Sequence, residues 1–139
     1  MTYADLRDAL GWLSDEHGLD DTPVYFSGRR GAMESAAHEL AHAIDLGDST
    51  LDTYTIGERI GALGDRAADQ HELRTLRIER SAMLRLGMRV DIHKIARGVD
   101  WRRGVNPPRS AVDAPLTKRE RRGVRRFLAL VQHAHQETR

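Results

Sequence analysis

The 139-residue chain contains no cysteine. Disulfides are thereby excluded, as is any metal site built on thiolates, so a bound metal would have to be held by histidine and carboxylate. Lack of cysteine also suits a reducing compartment, and the chain reads as cytoplasmic. No run of about eighteen apolar residues occurs, which leaves no candidate membrane-spanning helix. The opening Met1-Thr2-Tyr3-Ala4-Asp5-Leu6-Arg7 has no basic start followed by an apolar core of the kind that directs secretion. Lysine is nearly missing: Lys94 and Lys118 are the only two among 22 basic residues. Internal repeats, glycine-rich phosphate loops and nucleophile-elbow motifs are absent as well, so no second catalytic constellation competes with the one described next.

What is present is a single dense stretch, Ala36-Ala37-His38-Glu39-Leu40-Ala41-His42-Ala43-Ile44-Asp45. It contains His-Glu-x-x-His. On an α-helix, residues four apart lie on one face, so His38 and His42 can aim two imidazoles at one metal ion. Glu39 sits about 100° round the helix from His38, where it flanks the ion and can take a proton from a water there. Zn2+ is the expected cofactor, because it lowers the pKa of such a water to about 7. Met33, Ala37, Leu40 and Ile44 form an apolar stripe, and the histidines fall on roughly the opposite side, facing an expected cleft. Gly31 and Gly47 mark the expected boundaries of this helix.

A site of this kind needs a third protein ligand. Residues 71–87 read as a helix with Thr75, Leu76, Ala82, Met83 and Leu86 on one face, and Glu79 falls in the middle of that face. A carboxylate placed there must be paired or bind a metal. Glu79 is therefore the first candidate ligand, with Glu72, two turns earlier on nearly the same face, as the alternative. An internal Glu79–Arg salt bridge is the competing reading. His93 is isolated, and His133 and His135, two apart, do not share a helical face.

The remaining chain predicts a mainly α fold, with helices over 3–17, from Thr55 to about Ala67, over 91–97, and from Thr117 to about residue 136. Thr55–Glu58 and Thr117–Glu120 each fit a capping box. Val24-Tyr25-Phe26-Ser27 is the one strand-like run, giving an α+β variant with a minor strand or small sheet. Trp12 reads as a packing residue, Asp100–Pro115 as a loop, and Trp101 as the anchor of that loop. The length suits one domain, 1–139, with a modest core.

Formal charge is +1, but it is segregated. Residues 101–139 carry ten Lys/Arg against three Asp/Glu, a net +7, and the rest carries twelve against eighteen, a net −6. On the last helix, Lys118, Arg119, Arg122, Arg125 and Arg126 line the side opposite Val124, Phe127, Leu128 and Val131. Such a run is either a solvated face or a phosphate-contacting patch able to bind nucleic acid without reading its sequence.

The chain resembles the HExxH zincin-like metallopeptidases, closely from His38 to His42 and loosely from residue 36 to about 82. In the gluzincin branch a glutamate on a later helix is the third ligand, and Glu79-Arg80-Ser81-Ala82 is similar to the Glu-x-x-Ala stretch of ArdC-type antirestriction and ImmA/IrrE-type peptidases. The metzincin extension fits less well, since Asp45 stands where that motif has glycine and Asp48 where it has the last ligand. The resemblance implies a compact zincin-like domain, a protein or peptide substrate, zinc on His38, His42 and Glu79, Glu39 as general base, and an oxyanion stabiliser for which Tyr54 and His71 are candidates. Two other readings stay open: a non-cleaving zincin-like module that contacts nucleic acid or protein through its basic helix, and a helical domain with a chance motif.

Overall fold

A computed structural model describes residues 1–17, 31–48 and 52–139. Seven helices are formed among them: α1 (Tyr3–His17), α2 (Gly31–Asp45), α3 (Thr53–Gly61), α4 (Asp65–Arg85), α5 (Ile92–Gly98), α6 (Arg109–Val112) and α7 (Lys118–Thr138). No strand occurs among the described residues, and the expected strand Val24–Ser27 lies outside them. The mainly α class is what the described chain shows. No described helix is long and apolar enough to cross a membrane.

Helical periodicity explains the core. Leu6, Ala9, Leu10 and Leu13 of α1 are spaced to share one face, and all four are buried, as are Val124, Phe127, Val131 and Ala134 of α7. These two faces meet, and both also pack on α2, which lies along α4. A second cluster forms on another face of α4, where Leu76 joins Ile92, Ile95, Trp101 and Val112. Trp101 donates its indole N–H to the Ala96 carbonyl (2.8 Å), anchoring the loop as expected.

Helix ends follow local chemistry. Thr117 and Glu120 make the reciprocal capping box that opens α7. Gly47, at φ +87°, turns the chain after α2, and the Asp48 N–H returns to the Ala43 carbonyl at 3.2 Å. Two expectations are corrected. The cap of α3 is Asp52, whose side chain accepts from the Thr55 N–H, and not Thr55. That helix stops at Gly61, while Gly64 begins α4, so Ala67 belongs to α4: glycines at 61 and 64 end one helix and start the next. The loop from Asp100 to Pro115 also contains α6.

Helix α2 departs most from its expected amphipathic form. Ala36, Ala41 and Ala43 are buried together with Met33, Ala37 and Leu40, while Ile44 is only partly buried. With alanines on its flanks the helix is enclosed by α1, α4 and α7. His38 and His42 are consequently buried against α4, at 3% and 5% exposure, and do not face an open cleft among the described residues.

Candidate metal centre

The site lies on the seam between α2 and α4. Helix α2 contributes His38, His42 and Asp45, at i, i+4 and i+7, and α4 contributes His71, Glu72, Thr75 and Glu79, spaced to share a face. The two helices thus bring a line of polar side chains together in the interior. Each buried polar group there needs a partner, since an unpaired one is strongly unfavourable.

The partners are found in order. Nε2 of His38 and Nε2 of His42 face one another at 3.0 Å, their rings nearly perpendicular at 84°. Their other nitrogens point away from each other. His38 Nδ1 bonds Glu79 Oε1 at 2.8 Å, and His42 Nδ1 bonds His71 Nε2 at 2.8 Å. His71 Nδ1 bonds Asp45 Oδ2 at 2.6 Å, and Asp45 accepts from Arg74 Nε at 2.8 Å. From α7, Arg119 donates to the Asp45 backbone carbonyl at 3.0 Å. Both ring nitrogens of all three histidines are therefore engaged.

This network fixes the protons. Burial disfavours charge on Asp45, but hydrogen bonds from His71 and Arg74 outweigh it and hold the carboxyl below its usual range, so it is an acceptor. His71 then donates from Nδ1 and accepts at Nε2, and His42 donates from Nδ1, which leaves the His42 Nε2 lone pair turned toward His38. Burial, reinforced by the positive charge of His38 nearby, drives the His42 pKa well down, so it is neutral. Burial opposes charge on His38 too, but the Glu79 carboxylate prevails, by charge and by hydrogen bond, and raises it to about 9. A protonated His38 donates to both Glu79 and His42.

Glu72 completes the group. Its Oε2 lies 3.5 Å from His42 Nε2, is buried, and has no hydrogen-bond partner. Burial raises the Glu72 pKa, against the pull of the His38 charge. Ligand atoms of His38, His42 and Glu72 all lie within 4.8 Å of one another. Tetrahedral zinc bonds of about 2.0–2.1 Å place two ligand atoms about 3.3 Å apart, and the observed 3.0 and 3.5 Å bracket that edge. Two nitrogens and one carboxylate oxygen also form a donor set that zinc favours. The residues present fit the ion, and the unpartnered Glu72 oxygen is the atom it would satisfy.

Of the glutamates expected as ligands, the first candidate, Glu79, meets His38 on the Nδ1 side, turned away from the facing Nε2 pair, while Glu72 stands on the Nε2 side. Asp48 follows the Gly47 turn and borders a cleft shared with Arg119, Arg122 and Arg126. Glu39 is partly buried, and its charge adds to the upward shift of His38. Tyr54 is 77% exposed on α3. His71 is buried with both nitrogens engaged, so it supports His42 and is not poised to meet an oxyanion. The sequence reading did not find the Asp45–His71 link; the signal for it was polar residues at 71, 72, 75 and 79 on one helical face, opposite 38, 42 and 45. Comparison of the chain with protein-family models, curated proteins and solved structures found no match.

Proposed function

We propose that the protein is a zinc-dependent metallopeptidase in which His38, His42 and Glu72 hold the ion and Glu39 is the general base. The observation that carries this reading is the pair of Nε2 atoms facing each other beside a buried, unpartnered carboxylate oxygen. When bound, zinc supplies Lewis acidity, polarising a carbonyl and lowering the pKa of a water to about 7. Glu79 and the Asp45–His71 link orient the two imidazoles from behind, the supporting role that outer carboxylates play around metal-binding histidines. Glu39, on the same helix one residue past His38, takes the proton of the attacking water and returns it to the leaving amine.

The burial of both histidines favours a second reading, a zinc site that holds α2 to α4 without cleaving anything. Two measurements separate these. Elemental analysis should find one zinc per wild-type chain, lost in His38→Ala and Glu72→Gln and retained but weakened in Glu79→Gln. A peptide-library cleavage screen should show zinc-dependent hydrolysis that Glu39→Gln abolishes while keeping its zinc. Zinc without hydrolysis leaves the non-cleaving reading. Failure of the wild type to bind zinc, even after incubation with it, sinks both.

A further inference from the structure

The cations of α7 are not used by the seam, apart from Arg119. At 100° per residue, Lys118, Arg119, Arg121, Arg122, Arg125 and Arg126 fall within an arc about 160° wide, and all six are exposed. The buried stripe of Val124, Phe127 and Val131 lies opposite. The one acidic residue in this part of the helix, Glu120, is turned inward and fully buried, with Oε1 3.2 Å from the Arg77 guanidinium, so it does not offset the outer charge. Two of the six have intramolecular hydrogen bonds that leave them less available, Arg119 on Asp45 and Arg121 on the Leu116 carbonyl, and Arg122 and Arg126 both border the cleft with Asp48. Lys118, Arg122 and Arg125, at i, i+4 and i+7, point to one side and form no ion pair or side-chain hydrogen bond among the described residues.

We propose that this face of α7 is a docking surface for double-stranded nucleic acid, gripped through its backbone phosphates without sequence preference. A positive field at a helix N-terminus, where the helix dipole adds to the side-chain charge, suits phosphate. Phe127 is buried and α7 exposes no Phe, Tyr or Trp, so the face has no platform on which single-stranded bases could stack. It exposes no large apolar side chain either, which disfavours insertion into a membrane surface. The reading does not depend on the zinc site.

The test is fluorescence anisotropy with a labelled 20-base-pair duplex of arbitrary sequence, from about 50 to 200 mM salt. Wild-type affinity should fall steeply with salt. Lys118→Glu/Arg122→Glu/Arg125→Glu should weaken binding about tenfold or more at low salt and reduce the salt slope by about three. Arg85→Glu/Lys94→Glu/Arg97→Glu makes the same change in net charge at exposed positions elsewhere and should leave binding within about twofold. Circular dichroism confirms that both variants remain helical. The proposal is overturned by absence of binding at 50 mM salt, by equal loss in the two triple variants, by an unaffected α7 variant, or by polyglutamate competing as well as unlabelled duplex.

Discussion

The α2–α4 seam and the outer face of α7 are both crowded with charge, yet they are built on opposite terms. In the seam, His38, His42, Asp45, His71 and Glu79 are at most 6% exposed, and the histidine nitrogens are linked in a chain from Glu79 to Asp45. On α7, Lys118, Arg122 and Arg125 are exposed and form no ion pair or side-chain hydrogen bond among the described residues. Removal from water makes each seam contact strong and each loss severe, whereas water and salt screen the α7 charges. Titratable side chains are thus paired and dry in one place and solvated in the other.

The largest effect should come from breaking the seam. His38→Ala removes the counter-charge of Glu79, whose carboxylate is wholly buried. In the presence of a chelator, denaturant unfolding should show a loss of about 3–5 kcal/mol, the range for stripping a partner from a buried ion pair. A loss near that of a surface substitution would mean the seam is hydrated and the contrast with α7 is false.

Next is the link behind His42. His71→Ala removes the group that holds Nδ1 of His42, and zinc affinity, measured by competition with a chelator, should fall about 10- to 100-fold. Arg125→Ala should leave that affinity unchanged. Equal effects would show that the network does not orient the ligand.

A pH series sharpens the contrast further. The folded His38 pKa of about 9 exceeds its ordinary 6.5. A raised pKa contributes stability that is fully present below 6.5 and is lost as pH rises through about 9. The metal-free protein should therefore lose melting temperature over that window. The zinc-loaded protein should not lose it in parallel, because metal binding displaces ligand protons and strengthens as pH rises. Parallel curves for the two forms would remove the ion from His38.

The smallest effect is expected on α7. Arg122→Ala or Arg125→Ala should change unfolding free energy by no more than about 0.5 kcal/mol. A larger loss would place these side chains in the packing and weaken the case for a docking surface.

Much of the frame was legible in the sequence. The spacing of Leu6, Leu10 and Leu13 is enough to bury one side of α1, and Thr117 with Glu120 starts α7 because their side chains satisfy each other's backbone donors. These are interactions over three or four residues, which local chemistry decides. His38 and His42 share a face for the same reason. The depth of their burial was not legible: alanines at 36, 41 and 43 let neighbours close on every side of α2, an outcome set by those neighbours. Nor could the spacing tell which glutamate faces which nitrogen. Glu72 and Glu79 lie on nearly one face of α4, and only the way α4 lies along α2 sets Glu79 against Nδ1 of His38 and Glu72 beside Nε2 of His42. The sequence by itself determined most of the helices though not all of their ends, the histidine pair and the basic run. Tertiary packing decided the partners, because a charge removed from water takes its meaning from what is brought within about 3 Å of it.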